Sequence, residues 1–473
     1  MTTKPAGIRI FNTLTRQKEE FTPIESGKVR MYTCGPTVYD YAHIGNFRAF
    51  LFEDLLKRWL KFRGFKINHV MNLTDIDDKT IKGSQKQQTP LKQFTEFYIK
   101  AFFEDMAALG IELADVYPRA TEHIPEMVAI IKTLCQKGNA YRGEDGSIYY
   151  AIYKFPDYGK LSHIKIQELK VGARVKQDEY AKEEAQDFAL WKAYTPEDGD
   201  VYWETELGRG RPGWHIECSA MSIKYLGETF DIHCGGVDNM FPHHENEIAQ
   251  SEAATGKVFV HYWMHNEHLL VEGKKMAKRL GNFYTLRDLL QKGCNPLAIR
   301  YLLLSTHYRQ QFNFTFEGLT AANGAIERLA NLLRRLQDTN GNSNKEELAQ
   351  LVDTVQSCFG EAMDDDLNVS VALAALFDFV REINYKLDNN AVSMEEAKKV
   401  TALISDFDKV LGVIPKAKEE TLTKEAEELI RKREEARKIK DWKTADQLRQ
   451  QLKTLGITIE DTAQGIRWKK EKA

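Results

Sequence analysis

Residues 29–74, VRMYTCGPTVYDYAHIGNFRAFLFEDLLKRWLKFRGFKINHVMNLT, decide the fold of this chain. The segment VRMYT (29–33) alternates apolar and polar residues and runs into Cys-Gly-Pro, which is typical of a strand followed by a turn. Apolar residues then recur at helical spacing between residues 46 and 63, Gly64 ends that helix, and residues 67–74 are typical of the next strand. This order predicts a βαβ unit, in which ligands lie at the carboxyl ends of the parallel strands.

The α/β pattern is interrupted and then returns. Residues 115–230 have mixed strand and loop character. The returning elements are a strand, a helix, a strand and a hairpin, at 231–239, 241–254, 258–265 and 269–276. Residues 315–455 are helical in pattern, and a short hairpin over 457–470 ends the chain. The sequence therefore predicts an α/β domain with an insertion, followed by a helical region and a small mixed unit.

Length and composition narrow the class of protein. A chain of 473 residues is too long for one ordinary domain, and its length suggests roughly three. Lys+Arg 66 against Asp+Glu 69 gives a net charge of −3, so any nucleic-acid surface must be local. The six cysteines lack the spacing of a disulfide framework, and neither a signal peptide nor a membrane span is evident. These features predict a protein of the reducing cytosol.

The C-terminal tail differs from the rest in charge. Residues 429–473 contain 13 Lys+Arg and 7 Asp+Glu, a net of +6. A solvated helix laced with salt bridges is the simpler interpretation of charge alone. Trp442 and Trp468 favour RNA contact, because an aromatic ring beside basic groups can stack on unpaired bases.

His43-Ile44-Gly45-Asn46 stands where the first strand gives way to the first helix. Helix N-terminal N–H groups, a glycine that allows close approach and two side-chain donors together suit an anion. The alternative is a histidine that only caps the helix. The location in a βαβ unit favours the anion site.

Lys275-Met276-Ala277-Lys278-Arg279 follows the predicted hairpin at 269–276. Three cations in a mobile loop suit a triphosphate whose leaving group gains charge. An ordinary basic surface loop is the alternative. The segment lies about 230 residues after the histidine motif.

A third set of residues could bind a metal ion. His243 and Glu247 are four apart on a predicted helix and can face one ion, whereas His244, three before Glu247, is the weaker partner on that spacing. Cys34 and Cys218 would complete a plausible zinc set. Spacing leaves open whether these distant segments meet, and a lone buried cysteine is usually a small hydrophobe.

Several blocks resemble one family. They are MYTCGPTVYDYAHIGN (31–46), NLTDIDDK (72–79), GRPGWHIECSAM (210–221), FPHHENEIAQ (241–250), KMAKRLGNF (275–283), MDDDLNVSVALAALF (363–377), KDWKTADQLRQQL (440–452) and GITIEDTAQG (456–465). They are similar to the cysteinyl-tRNA synthetases, and residues 43–46 and 275–279 resemble the HIGH and KMSKS signatures of class I aminoacyl-tRNA synthetases. The resemblance covers most of the chain in independent blocks.

The resemblance implies an α/β fold: a split Rossmann-type parallel-sheet catalytic domain with a connective insertion, an α-helical bundle and a small mixed C-terminal domain. The implied spans are 1–115 and 231–310 for the catalytic domain with its stem, 116–230 for the insertion, 311–415 for the tRNA-binding bundle and 416–473 for anticodon recognition.

The resemblance also implies roles for individual residues. Zinc would bind Cys34, Cys218, His243 and Glu247; catalysis would use His43, Asn46, Lys275 and Lys278; ATP would contact His43, Gly45, Asn46, Gly236, Asp238 and Lys278; and Thr74, Trp214 and His233 would line the amino-acid pocket. One Zn²⁺ per chain, Mg²⁺ with ATP, L-cysteine and tRNA(Cys) follow as cofactors and partners, with no membrane and a cytoplasmic monomer. Whether bound cysteine makes the zinc five-coordinate or displaces Glu247 stays open.

The sequence departs from the family signatures at four positions. Asn46 replaces the last histidine of HIGH, and Ala277 and Arg279 replace both serines of KMSKS, which leaves the closing contacts of the loop in doubt. Cys234 stands where glycine is expected. It would either crowd the adenosine loop or bring a stray thiol near the metal.

Two other functions compete with tRNA charging. A cysteine ligase with a small amine acceptor, as in mycothiol biosynthesis, would share the catalytic half but lack the C-terminal helices and the basic tail. A zinc-containing RNA-binding protein with an inactive catalytic fold would have lost the signature lysines. Lys275 and Lys278 are both present, as are the tail residues 429–473.

Overall fold

A computed structural model describes residues 7–164, 174–175, 187–339, 341–342, 345–414, 423–462 and 465–470. Parts of the predicted spans 1–115, 116–230, 311–415 and 416–473 lie outside the described residues. The chain divides into two compact units, Met1–Ile414 and Pro415–Ala473.

The elements alternate between strand and helix up to about residue 314 and are mostly helical beyond it. The strands are β1 (Arg9–Asn12), β2 (Gln17–Glu20), β3 (Lys28–Thr33), β4 (Lys66–Met71), β5 (Ala140–Arg142), β6 (Ile148–Tyr150), β7 (Arg174–Val175), β8 (Asp187–Ala193), β9 (Gly210–Pro212), β10 (Phe230–Gly236), β11 (Val260–Asn266), β12 (Leu269–Val271), β13 (Lys274–Lys275), β14 (Phe312–Phe314), β15 (Ile457–Thr462) and β16 (Gly465–Lys470). The helices are α1 (Ile44–Phe62), α2 (Asp78–Lys86), α3 (Leu91–Ala108), α4 (Ile124–Gln136), α5 (Trp214–Leu226), α6 (Val237–Asn239), α7 (Glu245–Thr255), α8 (Leu286–Gln291), α9 (Pro296–Leu304), α10 (Phe316–Gln337), α11 (Lys345–Asp364), α12 (Val369–Asp388), α13 (Met394–Leu411), α14 (Lys424–Lys438) and α15 (Trp442–Thr454).

The predicted βαβ unit is formed by β3, α1 and β4. Apolar residues of α1, such as Leu51, Leu55 and Trp59, are fully or almost fully buried. The helix ends at Phe62, and Gly64 takes a φ of 93°, a left-handed conformation that glycine adopts at little cost. Strands β3 and β4 pair in parallel, as a helical crossover requires.

The two halves of the α/β pattern join in one sheet. Its strand order is β11-β10-β3-β4, and every pairing is parallel. Strand β10 therefore lies beside β3, about 200 residues earlier in the chain. The carboxyl ends of β3 and β10 meet, and the backbone N–H of Cys34 donates to the carbonyl of Cys234 over 3.3 Å. Residues that follow these strands share one edge.

The insertion has its own sheet. Strand β8 pairs with β6, with β9 and, in parallel, with β7. Helix α5 falls within the span 116–230 but packs against β3 and β4 of the parallel sheet. The end of the predicted insertion is thus part of the layer that covers the main sheet.

Helices α10 to α13 pack on one another and on α1 and α9. Arg300 of α9 is fully buried and donates to Asp54 Oδ2 of α1 over 2.6 Å and to the carbonyl of Leu411, at the end of α13, over 2.7 Å. A buried guanidinium needs such partners, because an unpaired buried charge is strongly destabilising. Arg300 therefore joins the helical region to the parallel-sheet half within Met1–Ile414.

The unit Pro415–Ala473 consists of the helix pair α14–α15 and the antiparallel hairpin β15–β16. Ala426, Leu452, Ile457 and Ile459 form its small core, and Trp468 packs against it. Trp442 is 57% exposed, with Arg437 5.8 Å from its ring. One of the two tail tryptophans is therefore available for stacking.

The predicted α/β class with a helical C-terminal region is confirmed. Within the described ranges, no helix combines the length and apolar character needed to cross a bilayer.

Candidate functional site

Four predicted metal ligands converge beside the carboxyl end of β3. One donor atom from each of Cys34, Cys218, His243 and Glu247 lies within 4.8 Å of the other three. Cys34 follows β3 directly, Cys218 lies in α5, and Glu247 lies in the first turn of α7. Cys34 is half-buried and the other three are buried. The parallel sheet and its covering helix bring together segments that sequence spacing leaves apart.

His243 is oriented by three neighbours. Its Nε2 lies 3.0 Å from Glu247 Oε1, and its Nδ1 lies 2.9 Å from Nδ1 of the buried His215. Trp214 stacks on the ring, with centroids 4.0 Å apart and planes 20° apart. The imidazole is thus fixed in one plane beside the carboxylate, as the orientation of a metal ligand requires.

A second, overlapping donor group uses Cys34, His233, His244 and Glu247. Cys34 Sγ lies 3.2 Å from His244 Nε2, and His233 Nε2 lies 3.0 Å from Glu247 Oε2. The sequence predicts His244 as the weaker partner, yet the structure places it in contact with one thiol. Its other nitrogen lies 2.8 Å from Nε2 of His265.

The donor set fits a zinc ion. Two sulfurs, an imidazole nitrogen and a carboxylate oxygen form a set that Zn²⁺ accepts. Tetrahedral ligands about 2.0–2.3 Å from zinc lie roughly 3.3–3.8 Å from one another, within the spread of these atoms. Glu247 contacts His233 and His243, burial lowers the pKa of His233 to about 3, and burial raises the pKa of Glu247 well above its ordinary value. A buried carboxylate beside neutral rings is the environment that a bound cation would balance.

The two thiols influence each other. Burial and the hydrogen bond to Cys218 raise the pKa of Cys34 well above its ordinary value. Burial also acts to raise the pKa of Cys218, but the hydrogen bonds from Cys34 and Tyr32 and the electrostatic effect of His233 together outweigh it, and the pKa is lowered. Of the two thiols, Cys218 therefore ionises more readily.

The three predicted pocket residues lie close to this cluster. Trp214 covers His243, as described above. Thr74 is buried, and its hydroxyl donates to Glu217 Oε2 over 3.2 Å. His233 has no exposed surface and stacks on Trp263, with centroids 4.6 Å apart. Trp214 and His233 therefore contact residues of the cluster, whereas Thr74 contacts Glu217, the residue before Cys218.

His43 and Asn46 cap the start of α1. His43 Nδ1 accepts the backbone N–H of Asn46 over 3.2 Å, and Asn46 Oδ1 accepts the backbone N–H of His43 over 3.1 Å. Burial lowers the pKa of His43 to about 4, so the ring is neutral at neutral pH. Because Nδ1 accepts, the remaining proton lies on Nε2. The histidine thus caps the helix and also keeps one donor for an anion.

Gly45 allows the loop of the second signature to approach this helix. A Cβ at Gly45 would lie 3.0 Å from two ring atoms of His43 and 3.4 Å from Met276 Cε. Contacts at 3.0–3.4 Å are tighter than side chains normally accept, so glycine is favoured here. The two signatures, far apart in sequence, are therefore adjacent in space.

The two signature lysines have different surroundings. Lys275 lies in β13 and is exposed. Lys278 Nζ donates to Asp40 Oδ2 over 2.7 Å and lies 5.1 Å from the ring of Phe283. This hydrogen bond to Asp40 raises the pKa of Lys278. The Lys278 ammonium is thus paired with Asp40, a residue of the segment that leads into His43.

The departures at 277 and 234 are accommodated locally. The backbone N–H of Ala277 donates to Asn282 Oδ1 over 2.9 Å, and Asn282 Nδ2 donates to the carbonyl of Lys275 over 3.1 Å. Asn282 therefore holds the loop without a serine at 277. Cys234 is fully buried in the core that contains the apolar face of α1, whereas Cys34 and Cys218 belong to a different core. Successive strand residues face opposite sides, so the thiol points away from the donors on the side of His233.

Asp238 lies just beyond β10. Its Oδ2 is 3.3 Å from His268 Nδ1, a contact that lowers the pKa of Asp238 and raises that of His268. Lys275 and His43 also lower the pKa of Asp238. Asp238 therefore lies near His268, Lys275 and His43, beyond the carboxyl end of β10.

Sequence reasoning omitted several of these residues. They are His215, Glu217, His265, Asn266 and His268. His215 and Glu217 lie between Trp214 and Cys218, so proximity in the sequence is a signal that could have indicated them. For the other three, only their location after or near the end of a strand could have indicated the site.

Three family descriptions match the chain in succession. "tRNA synthetases class I (C) catalytic domain" matches residues 20–324, "DALR domain" residues 358–415, and "Cysteinyl-tRNA ligase anticodon binding domain" residues 419–468. A cysteine–tRNA ligase of Protochlamydia amoebophila is 53% identical over 468 residues, covering 98% of each chain. One of Brachyspira hyodysenteriae is 51% identical over 474 residues, covering 98% of this chain and 99% of that one.

Solved structures support the fold. A methionyl-tRNA synthetase of Mycobacterium tuberculosis, in complex with methionyl-adenylate, superposes with a TM-score of 0.59 at 12% identity, covering 82% of this chain and 88% of that one. A leucyl-tRNA synthetase of Agrobacterium radiobacter gives the same TM-score at 13% identity, covering 83% and 85%. Because the sequence identities are only 12% and 13%, these two matches show similarity of fold alone.

Proposed function

Because the chain belongs to the cysteinyl-tRNA ligase family of class I synthetases, we propose that it joins L-cysteine to tRNA(Cys) in an ATP-dependent reaction. The observation that carries this proposal is the convergence of Cys34, Cys218, His243 and Glu247 beside the carboxyl end of β3. The reaction has two steps, formation of cysteinyl-adenylate and transfer to the 3′-terminal adenosine. It takes place in the cytosol on a single chain.

Selection of cysteine is the purpose of the donor cluster. Protein synthesis needs discrimination on the order of 10⁴–10⁵, and serine differs from cysteine by one atom, so shape alone falls short. A zinc ion bound there would take the substrate sulfur as a thiolate, whereas a serine hydroxyl is a far poorer anion. Trp214 lies over His243 and orients the amino acid toward the nucleotide.

His43 and Asn46 stabilise the charge that develops in the first step. The cysteine carboxylate attacks the α-phosphate of Mg²⁺-bound ATP in line, and pyrophosphate leaves. Neutral His43 donates through Nε2, while the backbone at Gly45 lets the phosphates approach the start of α1. Asn46 fixes the tautomer by donating its backbone N–H to Nδ1.

Lys275 and Lys278 act on the leaving pyrophosphate. Lys278 is held by Asp40, so it must change partner when ATP binds. An exposed ion pair is worth only about 0–1 kcal/mol, which a polyphosphate easily exceeds. Lys275 also offsets the negative charge of the Asp238 carboxylate. Positioning of the substrates and electrostatic stabilisation of the transition state account for the rate, and no protein nucleophile is needed.

Amino-acid-dependent exchange between ATP and pyrophosphate tests the function. With each amino acid supplied in turn, we expect exchange with cysteine alone, followed by charging of purified tRNA(Cys). An enzyme that shows no exchange with cysteine, or equal exchange with serine, is not the one proposed. Charging of a small amine instead of tRNA would favour the mycothiol-type alternative.

Deletion of residues 415–473 is expected to separate the two steps. The cut precedes α14 and removes a unit with its own core, so Met1–Ile414 keeps its contacts. We expect exchange to change less than about 3-fold, while kcat/KM for charging falls about 10²- to 10³-fold, because each stacked base contributes about 1–3 kcal/mol. Undiminished charging would show that Trp442 and the tail do not read the tRNA.

A further inference from the structure

Glu245 is fully buried between two of the predicted metal ligands, yet neither the donor cluster nor the nucleotide chemistry uses it. It lies two residues after His243 and two before Glu247. Its Oε1 accepts the backbone N–H of Gly159 over 2.9 Å. Its Oε2 accepts the backbone N–H and the hydroxyl of Ser162, each over 2.7 Å. A buried carboxylate is stable only when donors such as these face both of its oxygens.

Residues 158–162, which we call the clamp loop, supply these donors and two further contacts. The N–H of Leu161 also donates to Glu245 Oε2, over 3.1 Å. The Tyr158 hydroxyl donates to Oδ1 of Asn246, the residue after Glu245, over 2.5 Å. Tyr158 is 3% exposed and Leu161 has no exposed surface. The clamp loop therefore holds two successive residues, Glu245 and Asn246, from inside the protein.

The clamp loop is itself tightly folded. Gly159 has a φ of 94°, and a Cβ at this position would lie 2.1 Å from the carbonyl oxygen of Ile164. Only glycine fits this turn without a shift of the backbone. Lys160 pairs with Glu252, about two turns further along α7. The clamp loop thus contacts α7 at two places, and Glu245 is the contact beside the metal ligands.

The start of α7 needs support from outside the helix. Within the described residues, no side chain caps its N-terminus. Phe241, which precedes the helix, has a non-helical φ of −137° and ψ of 132°, so regular helix begins only just before the ligands. The N–H groups of a first turn lack partners within the helix, and uncapped helix ends open easily. Glu245 and Asn246 supply the missing support through the clamp loop.

Small movements of this segment matter because its donors must meet one ion. The Nε2 of His243 and the Oε1 of Glu247 lie 3.0 Å apart, on residues that flank Glu245. A metal site accepts ligand distances within about 0.2 Å of their usual values. A shift of the helix start by roughly 0.5 Å would therefore weaken the site.

We propose that Glu245 is a positioning residue for the donor cluster, and that its hydrogen bonds to the clamp loop set the spacing of His243 and Glu247 for a metal ion. The inference rests on the proposed zinc-dependent selection of cysteine. It gives the insertion a part in that selection, although no residue of the clamp loop belongs to either donor group found in the described chain.

Glu245→Gln tests the proposal and keeps the size of the side chain. Its amide NH₂ would face an N–H or O–H donor of the clamp loop, so at least one hydrogen bond is lost. We expect the zinc dissociation constant, measured by competition with a chelator, to rise about 10- to 100-fold, as when a group that orients a ligand is removed. In exchange assays with the zinc-saturated variant, KM for cysteine should rise about 10-fold, whereas KM for ATP should change less than about 2-fold.

Two further variants separate positioning from stability. Glu252→Gln alters the other contact between α7 and the clamp loop, away from the ligands, and should keep the zinc affinity of the natural protein. Ser162→Ala removes the hydroxyl donor but leaves the three backbone donors to Glu245. It should fold even if Glu245→Gln does not, and it should raise the zinc dissociation constant by a smaller factor than that variant.

The outcomes distinguish this inference from the proposed function. If the natural protein binds no zinc, or if its exchange does not select cysteine over serine, the proposed function fails and the inference fails with it. If both properties are normal but Glu245→Gln and Ser162→Ala keep the natural zinc affinity, only the role of Glu245 is overturned. Loss of zinc affinity in Glu252→Gln to the same extent as in Glu245→Gln would show general destabilisation and would also overturn that role.

Discussion

Cys218→Ser will lose bound zinc and cysteine-dependent exchange together. Cys218 is buried, and its sulfur lies among the four donor atoms. A serine hydroxyl at this position is a poor zinc ligand, because it remains protonated where a thiol ionises. Substitution of a group that only supports a metal ligand lowers metal affinity or activity about 10- to 100-fold. Loss of a ligand itself should therefore lower kcat/KM by about 10³-fold or more.

Zinc content by elemental analysis and exchange kinetics with cysteine and serine check this prediction. Cys135→Ser is the matched control: this half-buried cysteine of α4 belongs to neither donor group found among the described residues. The control should keep its zinc and its activity. A Cys218→Ser protein that retained both zinc and selectivity would remove this residue from the site.

Lys278→Ala should lower kcat for cysteine-dependent exchange by about 10²- to 10³-fold, the loss seen when one donor to a developing charge is removed. KM for cysteine should change little, because Lys278 lies on the loop beside His43 and Asp40, away from the donor cluster. Its side chain is 69% exposed, so the fold should be unaffected. Steady-state exchange with varied ATP and cysteine, together with the Tm, provides the measurement.

Lys274→Ala is the control for that prediction. Lys274 is the neighbour of Lys275 in β13, is equally exposed and stands outside the signature. It should keep kcat within about 2-fold, as for a surface substitution away from the site. Equal losses in both variants would indicate a general effect of positive charge. An unchanged kcat in Lys278→Ala would exclude this lysine from catalysis.

The parts of the fold that depend on nearby residues could be predicted from the sequence. Helix α1 follows from apolar spacing, from the stop at Gly64 and from the strands on either side. The hairpin over 457–470 follows in the same way from short alternating segments. In each case the pattern and the structure rest on interactions between elements that are consecutive in the sequence.

The donor cluster could be predicted only in part. His243 and Glu247 share a face by helical spacing, and their contact of 3.0 Å agrees with that. Cys34 and Cys218 join them because β10 lies beside β3 and α5 covers the sheet, which is a property of strand order. Only the family resemblance indicated that arrangement in advance.

The remaining residues of the site were beyond sequence reasoning for physical reasons. His244 contacts Cys34 and belongs to the second donor group. Both histidines of this segment, His243 and His244, therefore face the cluster. Asn266 Oδ1 accepts no hydrogen bond among the described residues, and this becomes evident only when every hydrogen bond around it is known. Satisfaction of buried polar atoms depends on tertiary contacts, which a residue pattern does not encode.

Cobalt(II) in place of zinc tests most directly whether substrate thiol and protein thiols share one ion. Sulfur ligands give cobalt a charge-transfer absorption in the near ultraviolet, and Cys34 and Cys218 should produce it in the protein alone. Adding cysteine should increase that absorption by roughly half, because a third thiolate joins two, and adding serine should leave it unchanged. A spectrum that does not respond to cysteine, or that responds equally to serine, would contradict the account.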